Sequence, residues 1–254
     1  MCLLAIAWQS HLDFPLVMAA NRDEFHSRPT QPAYHWASDR ITGGQDVEAG
    51  GSWLLTHNNG RWAALTNFRE PNTMGRQPGY RSRGELPLKA LEQAPETLAS
   101  WLTTQTDQYL GYNLIWGDQE QAWWFSNRHP TQPQRLTSGL YILSNAALDT
   151  PWPKSERLRD LMQQWLNTPH PDLMALWPIL KDRHRPTDDE LPDTGIGLEW
   201  ERLLSTPFIE SPEYGTRAST IVYQSAHGCG QLMERSFNAQ AQCVGERHLK
   251  WSLE

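Results

Sequence analysis

Six side chains at the ends of apolar runs could do chemistry together: Cys2, Arg22, Asp23, Asn67, Asn145 and Arg217. Removal of Met1 would leave Cys2 with a thiol and a free α-amine on one residue. The amine titrates at roughly 7.7–8.0 and a thiol at roughly 8.5, so each influences the other's proton near neutral pH. A terminal amine acting as base for its own side chain is one way to activate a weak nucleophile. The other reading of Cys2 is a packing thiol at the start of a strand. Asn21-Arg22-Asp23-Glu24 closes the run LVMAA. A carboxylate at Asp23 could hold or orient the amine of Cys2. The alternative is a solvated strand end turning toward Arg28-Pro29. Side chains alternate, so Arg22 and Asp23 face opposite ways unless a bulge intervenes. Asn67 in AALTNFRE and Asn145 in YILSNAALD are neutral amides of the type that stabilises an oxyanion. Arg217 in YGTRASTIV could favour a thiolate or grip a carboxylate. Each of these three also suits a turn or a surface.

For those residues to meet, strand ends must converge. Cys2 to Trp8 and Leu16 to Asp23 are apolar runs joined by a turn-like pentapeptide, which predicts a hairpin that brings Asp23 near Cys2. Ser52–Thr56 and Arg61–Asn67 flank Asn59-Gly60, a type I′ signal. Tyr112–Trp116 and Gln121–Ser126 repeat the pattern, and Leu140–Ser144 and three closing runs (218–224, 230–237 and 243–253) are further strands. Helices are expected over 86–94, 95–104, 155–167 and 171–180, the third with Leu158, Leu161, Met162 and Trp165 on one stripe. Residues 183–197, rich in Pro, Asp and Gly, read as an exposed acidic loop, with a lid as the alternative. Hairpins in place of βαβ units predict an α+β layered sandwich of antiparallel sheets.

Composition narrows the field. The chain has 254 residues, enough for one large domain, and we expect a single domain over 1–254. A net charge of −7 argues against nucleic acid or an anionic membrane as the main partner. No run approaches the roughly 18 apolar residues of a membrane span. The run Leu3 to Trp8 lacks the basic flank of a signal peptide. Cys2, Cys229 and Cys243 form neither a paired framework nor a zinc signature, so the expected location is the reducing cytoplasm, with no metal or cofactor required. Thirteen tryptophans fill a core or line an apolar pocket.

The segments NRDEFHSRPT, GGQDVEAGGSWL, ALTNFREP, SRGEL, YNLIWGD, LSNAALDTPWPK and YGTRASTIV resemble, in order, those of the NRDE or transport-and-Golgi-organisation protein 2 family. That family is in turn similar to the N-terminal-nucleophile hydrolases of the conjugated bile acid hydrolase and penicillin V acylase branch. The resemblance implies a four-layer αββα sandwich, loss of Met1, and hydrolysis of linear amides. It places Cys2 as nucleophile, Asp23 as its neighbouring carboxylate, and Asn67, Asn145 and Arg217 at matching motif positions. One departure stands out: those hydrolases carry an arginine three residues before the aspartate, where this chain has Ala20, and Arg22 lies beside Asp23 instead.

Two functions follow. The first is a cysteine amidohydrolase working through an acyl-enzyme at Cys2 on a small-molecule substrate. The second is a non-catalytic carrier or chaperone of an apolar ligand, haem, lipid or acyl-CoA, on the same scaffold. For the carrier, His227-Gly228-Cys229-Gly230 offers axial ligands, and a hairpin turn is its other reading.

Overall fold

Alternation decides the architecture. In Cys2–Trp8 (β1) Leu3, Ala5 and Ala7 turn one way, Leu4, Ile6 and Trp8 the other, and all six are buried. A strand buried on both faces must lie inside a stack of layers. The computed structural model describes residues 2–36, 40–71, 78–129 and 132–253; Met1 lies outside them. Twelve more strands follow among the described residues. They begin with Leu16–Phe25 (β2), Thr30–His35 (β3), Ile41–Asp46 (β4), Leu54–His57 (β5), Trp62–Asn67 (β6) and Tyr112–Gly117 (β7). Ala122–Ser126 (β8), Gln134–Leu136 (β9), Gly139–Leu143 (β10), Tyr214–Gln224 (β11), Cys229–Phe237 (β12) and Cys243–Ser252 (β13) complete them. The α-helices are Glu85–Glu92 (α1), Pro95–Thr103 (α2), Pro153–Leu166 (α3), Leu176–Leu180 (α4) and Leu198–Leu204 (α5).

The strands form two antiparallel sheets, one ordered β10-β1-β2-β11-β12-β13 and the other β3-β4-β5-β6-β7-β8-β9. Three apolar clusters define the layers between and outside them. Leu4, Ile6, Trp8, Met18 and Val222 of the first sheet meet Trp53, Leu54, Trp62 and Ile115 of the second. The other face of the first sheet, through Leu3, Ala19 and Ile221, packs on Leu158, Met162 and Trp165 of α3 and Leu176, Trp177 and Leu180 in α4. The outer face of the second sheet packs on α1 and α2 through Leu86, Leu98 and Leu102. This is the expected four-layer αββα sandwich. Fully burying one such aliphatic side chain contributes roughly 1.5–3 kcal/mol, which explains why the pattern overrides local propensity.

Departures from the expected elements are local. Pro171 to Leu180 forms a short 3₁₀ turn and α4, not one helix. The strands β3, β4 and β9 and helix α5 were not anticipated; β3 carries a Pro and β4 two consecutive glycines, both poor strand signals. The turn at 57–60 closes through Gly60 N–H to His57 O at 3.0 Å. Its central residues, Asn58 and Asn59, both have negative φ, so it is not type I′, and the left-handed residue is Gly60 after them, with a φ of +86°. His227 and Gly228 lie in the β11–β12 turn, closed by Gly228 N–H to Ser225 O at 3.2 Å, and Cys229, which is exposed, and Gly230 begin β12.

Candidate active site

Pairing of β1 with β2 sets Cys2 directly opposite Arg22, so the two side chains project to the same side of the sheet. The thiol is half-buried. Burial raises its pKa and the Asp23 carboxyl adds to that, while the Arg22 charge and a hydrogen bond from the Asp23 backbone amide pull the other way. At neutral pH the sulfur therefore carries its proton.

Arg22 is fixed on the inter-sheet side. Its Nη1 donates to Thr30 Oγ1 at 2.9 Å, its Nη2 reaches Asp46 Oδ2 at 3.3 Å, and the guanidinium stacks over Trp53 at 4.4 Å. Asp23 follows the alternation to the opposite side, toward the helices. Thr216 Oγ1 donates to its Oδ1 at 2.7 Å, and Tyr214 Oη donates to its backbone carbonyl at 3.0 Å. Burial pushes the Asp23 carboxyl up to about 6, against the pull of Lys154, the Thr216 hydroxyl and Arg22.

Lys154, in the first turn of α3, is 2% exposed and donates to Leu204 O at 2.8 Å. Burial, helped by the Arg69 charge, draws its pKa down to about 7, with Asp23, Cys2 and Glu201 opposing. Beside it the buried pair Arg69 Nη1–Glu201 Oε2 closes at 2.6 Å, and Arg69 stacks over Trp152 at 4.5 Å. Lys154 of α3, Glu201 of α5 and Arg69 from the segment after β6 thus place two basic groups and a carboxylate behind the strand end that carries Cys2.

Cys2, Arg22, Asp23 and Asn67 line one cavity of about 460 Å³ that opens between the two sheets. Asn145 and Arg217 are not among its lining residues. Asn145 is fully buried and donates from Nδ2 to Asn67 O at 2.8 Å, while its own carbonyl accepts from Arg69 N–H at 2.7 Å. It splints the segment that carries Asn67 and Arg69. Arg217 falls where the β2–β11 register shifts between Thr216 and Ala218. There its Nη1 donates to the carbonyls of Phe25, His26 and Arg28 at 3.0–3.2 Å. It staples the connection after Asp23 and spends its charge on backbone. The loop 183–197 is mostly exposed, as expected, yet Ile196 reaches the cavity wall.

Sequence reasoning did not single out Lys154, Arg69, Thr216 or Arg83 as site residues. All four lie inside the quoted segments (PWPK, NFRE, YGTR and SRGEL), and that clustering was the available signal. Among the described residues no group of three or more His, Cys, Asp or Glu could hold a metal ion, and no helix is long and apolar enough to cross a membrane.

A family model described as Transport and Golgi organisation 2 matches residues 1–239. The transport and Golgi organization protein 2 homolog of Bos taurus is 32% identical over 246 residues, covering 88% of this chain and 87% of its own length. The Homo sapiens homolog is 33% identical over 245 residues, with the same shares covered. Among solved structures, the C2A mutant of conjugated bile acid hydrolase from Clostridium perfringens superposes with a TM-score of 0.54 at 8% identity, covering 98% of this chain and 92% of that one. At that identity the likeness is one of fold.

Proposed function

The chain belongs to the Transport and Golgi organisation 2 family, and on that premise we propose that it is a cysteine amidohydrolase opening a linear amide through an acyl-enzyme at Cys2. One observation carries the reading. The Cys2 thiol shares one cavity with Arg22, Asp23 and Asn67, in a fold like that of a bile acid hydrolase whose crystallised mutant is C2A.

In this reading Met1 is removed and the Cys2 α-amine takes the thiol proton. The sulfur attacks the amide carbonyl, forming a C–S bond and an oxyanion that the Asn67 side-chain amide stabilises. Collapse breaks the C–N bond, and the leaving amine departs with the proton the α-ammonium returns. Water, deprotonated by the same amine, attacks the thioester; the acid leaves and the thiol regains its proton. Asp23 holds the ammonium between those steps. Asn145 and Arg217 act at one remove, the first through the Asn67 backbone and the second through the segment after Asp23.

The test has two stages. Intact mass of native, untagged protein should show loss of one methionine. Incubation with an activated anilide should then add one acyl mass to wild type and none to Cys2→Ala; retention of Met1 in the native protein removes this reading. A second reading, a carrier of an apolar ligand in the same cavity, draws on the Phe25, Trp53, Leu65, Phe68 and Leu110 side chains in its wall. Haemin or acyl-CoA that quenches tryptophan fluorescence equally in wild type and Cys2→Ala would favour it.

A further inference from the structure

The cavity is walled by five arginines, and four are already matched to carboxylates. Arg22 and Arg28 meet Asp46 at 3.3 and 2.6 Å, Arg69 meets Glu201 at 2.6 Å, and Arg81 meets Glu85 at 2.7 Å. The fifth, Arg83, has no ion pair among the described residues. Its Nη1 donates to Gly111 O at 2.9 Å.

Arg83 is held by backbone. Ser52 N–H donates to Gly84 O at 2.9 Å, and a Cβ on Gly51 would lie 2.4 Å from the Gly84 carbonyl, so the two strands of chain cross in contact just beyond Arg83. Gly111, its acceptor, is fixed in turn by Phe68 N–H at 2.9 Å. Burial lowers the Arg83 pKa to about 10, which leaves it cationic at neutral pH. Glu24 and Glu70 attract it from beyond ion-pair distance, and both are engaged by other arginines, Glu24 with Arg28 at 3.9 Å and Glu70 with Arg128 at 2.7 Å.

A guanidinium with one edge anchored presents its remaining edge as parallel N–H donors, a shape that the two oxygens of a carboxylate match. The surrounding Glu24 and Glu70 disfavour a dianion such as phosphate, so a single negative charge fits best. We propose that Arg83 is the receptor for a carboxylate on the molecule that enters the Cys2 cavity, making the substrate an amide that also bears a free acid. This rests on the amidohydrolase reading for the word substrate, but not for the binding.

Binding to Cys2→Ala protein, followed by tryptophan fluorescence, tests it apart from chemistry. Two matched pairs serve: N-octanoylglycine against N-octanoylglycinamide, and 7-carboxyheptanoyl anilide against octanoyl anilide. The first pair places the acid on the amine half of the amide and the second on the acyl half. The acid should bind at least about tenfold more tightly in one pair, as a charge-assisted bidentate contact gives. That preference should fall toward one in Arg83→Met and survive in part in Arg83→Lys, while binding of the neutral partner stays constant and reports an intact cavity. Equal affinities within both pairs, or a preference that persists in Arg83→Met, overturns the proposal. Acid-selective binding with no thioester in wild type keeps the receptor and removes the amidase reading. Thioester formation without acid preference does the reverse.

Discussion

In the proposed amidohydrolase a protonated Cys2 thiol attacks nothing until its proton has somewhere to go, and the groups around it would set the pH at which that happens. Cys2→Ala should abolish acyl transfer. Asn67→Ala should lower kcat by ~10²–10³ with little change in the thermal midpoint, as removal of one oxyanion donor does elsewhere; an unchanged kcat would return the donor role to another group. Asp23, with a pKa of about 6, loses its charge as the pH falls through that value. We therefore expect kcat/KM to drop below pH about 6 in wild type, and that acid limb to be missing from the residual activity of Asp23→Asn. Because the folded carboxyl binds its proton more tightly than the ordinary value of 3.8, wild type should also lose stability relative to Asp23→Asn as the pH rises from about 4 to about 6. Cys2 and Asp23 were legible as neighbours because one hairpin joins them, whereas the register that sets Arg22, not Asp23, directly opposite Cys2 was not. Asn67 was legible as a strand-end amide. The roles of Asn145 and Arg217 were not, since whether a buried polar side chain faces a cavity or a carbonyl depends on contacts from distant segments. Lys154 was invisible for the same reason: 131 positions separate it from Asp23.

At the level of elements, three devices hold those groups. The first is the bulge at Arg217, where the β11–β2 register shifts by one residue, pairing resumes on both sides, and one long side chain turns onto three carbonyls. The second is the α3 terminus, where Pro153 starts the helix and Lys154 is driven inward. A lysine whose pKa falls to about 7 in the fold and stays ordinary in the unfolded chain makes stability rise with pH above 7. The unfolding free energy from urea titrations should climb by about 1 kcal/mol per pH unit from 7 toward 10 in wild type, and stay flatter in Lys154→Met. Parallel slopes would mean the amine is not buried as described. The third is the crossing of Gly51 and Gly84. Gly51→Ala should cost ~1–3 kcal/mol, read from chemical denaturation, because the new methyl meets a carbonyl that cannot retreat. Long alternating strands and α3 could be read from the sequence, where apolar period outweighs every other signal. Short strands with Pro or paired glycines could not, because their pairing is supplied entirely by neighbours.

Across the whole molecule the two sheets meet through aromatic rings. Trp8 of the first and Trp62 of the second lie 5.9 Å apart between centroids, both essentially buried, so most of the tryptophan excess serves packing. Trp62→Ala should cost ~3–5 kcal/mol, as aromatic truncations in packed cores do. The cavity draws Cys2, Arg22 and Asp23 from one sheet and Asn67 and Arg69 from the rim of the other. Its width is therefore not a property of any lining residue. It is the gap between two stacked plates, and the indoles act as the shims that set it. Trimming a shim at the far end of β1 from Cys2 would change the spacing of the plates and with it the shape of the cavity, so the ring thickness of a tryptophan outside the lining helps set what can enter.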